Sequence, residues 1–199
     1  MRPVALLLAS TLAFAPALAA QTAAPDTARM RANWRAHQHD FDYLLGDWAF
    51  TSQSKQYGAG LGVWSAVRLD AGGAILDEYR VTGDSGETYY ATSTLRAYNA
   101  AADRWELVSV DAGTGLRNIG TGHLVSGEVH IEQTFGATGP QPSQWRIRYY
   151  DIQPDRFSWA ADRSLDGGRT WVADFLRIAA RRVGPARVLG PLARARPAP

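Results

Sequence analysis

The sequence predicts an all-β protein: an antiparallel up-and-down β-barrel of about ten strands, preceded by a short helix. Three observations carry this expectation. From Trp48 onward, ten strand-like runs follow one another with only turns between them. The turns are rich in Gly, Asp and Asn, which accept positive φ at little cost, as tight hairpins require. Within the runs, apolar and polar residues alternate, the period-2 pattern of a sheet with one buried face. Even spacing without long crossovers favours a sheet closed on itself, which leaves no exposed edge.

The chain opens with Met1-Arg2-Pro3 and an apolar run from Val4 to Leu18, interrupted only by Ser10 and Thr11. That run is shorter than the roughly 20 apolar residues that span a bilayer, and Ala17-Leu18-Ala19 has the small-x-small form of a cleavage site. Residues 1–20 therefore read as a secretory signal peptide, which places the mature chain in the periplasm or outside the cell. Residues 21–39 read as an Ala-rich linker and a short surface helix from about Ala28 to His37, capped by Asp26 or Thr27. The barrel is expected over 40–182.

The stretch Asp40-Phe41-Asp42-Tyr43-Leu44-Leu45-Gly46-Asp47-Trp48 reads as a turn of helix running into the first strand. Asp40 is placed to cap the turn, Phe41, Leu44 and Leu45 share one apolar face, and Gly46 permits the change of direction. Strands are then expected at 47–55, 61–69, 74–82, 88–98, 104–111, 116–124, 127–136, 143–152, 156–163 and 170–180. On 143–152, Trp145, Ile147 and Tyr149 oppose Arg146, Arg148 and Tyr150. On the last run, Trp171, Ala173 and Phe175 oppose Val172, Asp174 and Leu176. After Arg182 the composition shifts to Pro, Ala, Gly and Arg, so 183–199 reads as a flexible tail.

Composition narrows the function classes. The chain has 199 residues, 46% of them hydrophobic, with seven Trp, which suits one sizeable packed core. Without cysteine there is no disulfide, thiolate zinc site, iron–sulfur cluster, cysteine nucleophile or lipoprotein anchor. The net charge of +2 comes from five Arg after Ala180, with no acid among them. The domain itself is slightly acidic, so no nucleic-acid face is expected. No nucleophile elbow, phosphate loop or dinucleotide fingerprint is present.

Certain residues stand in a familiar pattern. Gly46-Asp47-Trp48 resembles the Gly-x-Trp signature of the lipocalin and calycin barrels. In that family an Arg on the last strand packs across the Trp and closes the barrel floor; the matching candidates are Arg177 and Arg181. The opening Phe41-Asp42-Tyr43-Leu44-Leu45-Gly46-Asp47-Trp48, with Tyr98, Arg104-Trp105 and the segment from Phe157 to Trp171, resembles a group of bacterial secreted lipocalin-like proteins of unknown function. The resemblance spans about 40–182 and implies the barrel fold, with Trp48, Gly46 and Arg177 in structural roles. Nitrobindin-like haem barrels are similar at the opening. They ligate haem through a His near the C-terminus, and here the last His is His130, which argues against a haem cofactor.

Candidate chemistry is sparse. Arg146, Arg148 and Tyr150 share one side of a strand and would hold a carboxylate if that side faced the lumen. Tyr90, Thr92, Thr94, Arg96 and Tyr98 form a second polar stripe that would line a semi-polar pocket. Glu128-x-His130-x-Glu132 and His37-x-His39 beside Asp40 and Asp42 are weak metal patterns, read as solvated faces; no metal is expected. Ser164-Leu165-Asp166-Gly167-Gly168-Arg169-Thr170-Trp171 resembles the aspartate-box hairpin of sialidases, a structural loop. The leading expectation is a binding protein for a small, mainly apolar ligand, with or without a carboxylate, held by Arg96, Arg146, Arg148, Tyr90 and Tyr150. The alternatives are an enzyme acting on a lipophilic substrate at the barrel mouth, and a filled structural barrel whose Arg tail meets anionic envelope groups.

Overall fold

In the computed structural model, which describes residues 26–69, 73–83 and 85–189, the alternating runs close into one cylinder. Its strands are β1 (Gly46–Ser54), β2 (Gly58–Leu69), β3 (Ile75–Thr82), β4 (Thr88–Asn99), β5 (Arg104–Asp111), β6 (Arg117–Val125), β7 (Glu128–Phe135), β8 (Ser143–Tyr150), β9 (Arg156–Ser164) and β10 (Val172–Gly184). Each pairs antiparallel with the next, and β1 pairs with both β2 and β10, so the ten-stranded barrel is closed. Every strand expected from the sequence is present. The expected signal peptide, the linker as far as Pro25 and the chain beyond Leu189 lie outside the described residues.

Helix α1 (Thr27–His37) starts at Asp26, whose carboxylate accepts the N–H groups of Ala28 and Arg29. None of its residues is buried, so it lies on the barrel as a surface helix. A single 3-10 turn, Asp42–Leu44, leads into β1. Asp40 does not cap it. The Asp40 carboxylate faces back and down, pairing with His37 Nδ1 (3.0 Å) and accepting from Trp105 Nε1 (3.3 Å), so it ties α1 to the barrel.

The first residues of the tail expected from Val183 are strand. β10 continues to Gly184, and an eleventh strand, β11 (Arg187–Leu189), pairs parallel with Val67, Arg68 and Leu69 of β2. β1 pairs with β2 only as far as Ala66, so β11 takes up the β2 edge where β1 leaves it. A proline removes its own N–H and no other, and Pro185 sits in the step between the two strands. Arg187 then grips the Asp47 carboxylate with both Nη atoms, at 2.7 and 2.6 Å.

The barrel has a closed base and an opposite mouth. At the base, Phe41, Leu44, Trp48, Trp105, Tyr149 and Phe157 are all within 2% of full burial. Such rings each remove about 150–250 Å² from water, at most about 4–6 kcal/mol apiece at 25 cal/mol/Å². Trp48 Nε1 donates to Leu44 O (2.8 Å), which locks the 3-10 turn over the floor.

The arginine that closes the floor is Arg182. Its guanidinium lies 4.2 Å from the Trp48 ring centroid and donates to Leu45 O (2.6 Å) and Tyr43 O (2.9 Å). Arg177 and Arg181, the candidates from the sequence, have the wrong parity. Trp48 pairs with Arg182 in register, so odd-numbered neighbours on β10 point outward. Arg177 is exposed and bonds Asp174 instead. At Gly46, φ is 112° and an added Cβ would stand 2.6 Å from Arg182 Nη1 and 2.7 Å from Gly184 O.

Candidate functional site

The strand registers settle which candidate side chains reach the lumen. On β8, Ser143, Ile147 and Tyr149 are buried and Trp145 is half-buried, whereas Arg146 and Arg148 are exposed. Arg146 stacks outside on Trp171 (4.0 Å to the ring centroid), and Arg148 lies over Tyr150 (4.9 Å) and 3.6 Å from Glu128. Arg146, Arg148 and Tyr150 therefore line no internal site, because the three apolar rings and chains between them occupy the lumen face.

Arg96 does point inward and is 3% exposed. Its Nε donates to Asp77 Oδ2 at 2.6 Å and its Nη2 to Asp77 Oδ1 and Tyr149 Oη, both at 3.3 Å. Trp64 Nε1 completes the Asp77 shell at 2.8 Å. Burial alone would lower the pKa of Arg96, but the Asp77 carboxylate outweighs it and holds the guanidinium charged. The pair is thus internally neutral, and packed against Phe41, Trp64 and Tyr149 it forms part of the filled base. This ion pair was not legible in the sequence, since Asp77 and Arg96 meet only when β3 pairs with β4.

Toward the mouth the lining changes. Inward-facing Tyr79, Val81, Phe135, Trp145 and Leu176 are only partly buried, although they pack on the core. They form two facing walls. On one, Phe50 and Tyr79 stack at 4.9 Å and 6°, and Tyr90 meets Tyr79 at 6.1 Å. Gly62 makes room for this stack; a Cβ there would fall 2.1 Å from Phe50 Cζ. On the other, Trp145 contacts Phe135 at 4.6 Å and Phe175 at 5.3 Å. Phe175 and Leu176 are adjacent in sequence, yet both contribute, because β10 breaks its register between Val172 and Leu176 around Asp174 (φ 46°).

Polar groups on the mouth walls are held by one another. Tyr90 Oη donates to Asp111 Oδ1 (2.6 Å), and Asn118 Nδ2 donates to the same carboxylate (2.9 Å) and to Ser109 Oγ (3.1 Å). Burial pushes the Tyr79 phenol up, and burial with the Asp111 bond pushes Tyr90 up, so both stay neutral donors. Tyr90 is the one residue of the sequence-derived ligand set that reaches this end. It also lines a depression of ≈ 390 Å³ between the start of β4 and the β5–β6 turn. A smaller one, ≈ 170 Å³, lies at the base among His37, Asp40, Tyr98 and His123.

Sequence reasoning missed Tyr79, Val81, Phe135 and Leu176. The signal was present in their alternation, but the parity of each strand relative to the lumen was not fixed. The weak metal patterns resolve into pairs: His39 with Asp42 (2.8 Å) and His130 with Glu128 (3.0 Å). Among the described residues no group of three or more metal-ligating side chains converges. The aspartate-box segment is a self-bonded hairpin, with Asp166 accepting from Arg169 N, Thr170 N and Thr170 Oγ1.

No protein-family model matches the chain, and no curated protein sequence does. Among solved structures, "Structure of EF1p2_mFAP2b bound to DFHBI" is similar, at 14% identity over 73% of this chain and 98% of that one, with a TM-score of 0.35. The fold is established by the strand registers themselves.

Proposed function

We propose that this protein is an exported, lipocalin-like barrel that binds a small, mainly apolar molecule at its mouth. One observation carries the reading: inward-facing Tyr79, Val81, Phe135, Trp145 and Leu176 remain partly open to solvent, while Phe41, Trp48, Trp105, Tyr149 and Phe157 at the base are sealed. A concave apolar lining with a few fixed polar groups is the usual form of a small-molecule site. Exposed apolar surface of that kind is costly unless something occupies it. Tyr79 supplies a neutral hydroxyl on one wall, and the Tyr90 hydroxyl beside it is held by Asp111. The leader-like residues 1–20 support export.

A second reading is a structural barrel that carries no ligand, favoured by the solid aromatic base. Titration of the protein with a neutral fluorescent dye such as 1-aminoanthracene separates the two. Under the binding reading the dye gains fluorescence and accepts energy from Trp145, and Val81→Trp, which adds bulk to the mouth lining, abolishes both with an unchanged far-ultraviolet spectrum. Absence of dye binding, together with absence of any co-purified small molecule in native mass spectra of protein from its own host, rules the binding reading out.

A further inference from the structure

At the mouth, Arg163 carries a charge that no carboxylate among the described residues pairs with. Arg163 on β9 pairs in register with Trp145 on β8, so both face the lumen at the same height. Its guanidinium lies 4.8 Å from the Phe175 ring centroid and 5.8 Å from that of Trp145. Nη1 donates to Gln56 Oε1 (2.9 Å). Nε is buried and makes no hydrogen bond, and among the described residues no carboxylate pairs with Arg163. The contrast with Arg96 is informative, since there a carboxylate takes Nε and Nη2 together.

The nearby carboxylates are already committed. Asp166 accepts from its own hairpin, Asp174 bonds Arg177, and Asp111 lies on the opposite wall with Tyr90 and Asn118. Lys55, next to Gln56, reaches Ala173 O (2.6 Å) and adds positive charge to the same rim. The Nε–Nη2 edge of a guanidinium is a fork that matches the two oxygens of a carboxylate. A buried donor of a charged group left unpaired is costly, and an acidic head group removes that cost.

We infer that Arg163 is the polar anchor of the mouth site, and that the ligand is an organic acid: an apolar body between the aromatic walls and a carboxylate on the Arg163 Nε–Nη2 edge. This rests on the binding reading and assigns its ligand class. It also moves the carboxylate site away from Arg96, whose charge Asp77 already balances.

The test compares decanoic acid with methyl decanoate on the full chain, followed by Trp fluorescence and calorimetry. The acid is expected to bind about tenfold to a hundredfold tighter than the ester, the range of a charge-assisted hydrogen-bonded pair. Arg163→Met should abolish that preference while leaving ester affinity in place, and Arg163→Lys should restore part of it. Equal binding of acid and ester by the native protein, or an acid preference that survives Arg163→Met, overturns the anchor and leaves the binding reading standing. Failure of both probes and of the neutral dye overturns the binding reading itself.

Discussion

Replacing Arg96 by Met tests the filled base. The substitution keeps an unbranched chain of similar length and removes the charge. Asp77, 2% exposed, would keep only the Trp64 indole as a donor. Stranding one member of a buried ion pair costs about 3–5 kcal/mol, a large part of the roughly 5–15 kcal/mol that holds a domain folded. For a barrel of this size that corresponds to a fall in Tm of roughly 10–20 °C. The double variant Asp77→Leu/Arg96→Met leaves no stranded charge. Its remaining cost is the Trp64 N–H without an acceptor, about 1–3 kcal/mol, so it should be more stable than Arg96→Met alone. Urea unfolding followed by Trp fluorescence and circular dichroism measures all three. A loss below about 1 kcal/mol for Arg96→Met, or a double variant as unstable as the sum of the singles, refutes the reasoning.

Two further outcomes follow from the floor and the β11 strap. Arg182→Ala removes the cover on Trp48 and two bonds to carbonyls, and should cost about 2–4 kcal/mol in urea unfolding, whereas Arg177→Ala on the exposed face should stay within about 0.5 kcal/mol. Asp47 has its pKa lowered, chiefly by the Ser65 hydroxyl bond, with Arg187 adding to it against the opposing effect of burial. Its contribution to stability is therefore present above the unfolded carboxylate pKa and lost as pH falls through the lowered folded value. Arg187→Ala should raise the Asp47 pKa toward its ordinary value, read from the carboxyl carbon shift in an NMR titration.

Much of the architecture could be read before any coordinates, and the reasons are local. The turns at 111–115, 126–127 and 166–168 carry residues that take positive φ, as Gly113, Gly115, Ser126, Gly127, Gly167 and Gly168 do. They punctuate runs whose alternation is intrinsic to a pleated strand. Asp26 capped α1 because a carboxylate before a helix start has free N–H groups beside it. Asp40 misled because the same chemistry found a better donor far away in sequence, the Trp105 indole. Pro185 misled because it breaks one hydrogen bond, not a strand's direction, and Arg187 supplies a partner on β1.

Chain order and the two-residue repeat of a strand are enough to group side chains: Arg146 with Arg148 and Tyr150, Trp145 with Ile147 and Tyr149. Only the closed barrel decided which side is inside, because a period of two is unchanged when a strand is turned over or slipped by one residue. That choice was made collectively, by the indole at Trp48 meeting Arg182 across β1 and β10 and by Asp77 meeting Arg96 across β3 and β4. Contacts between residues far apart in the chain carry no local signature. The floor arginine, the buried ion pair and the unanswered charge of Arg163 therefore emerged from tertiary structure alone.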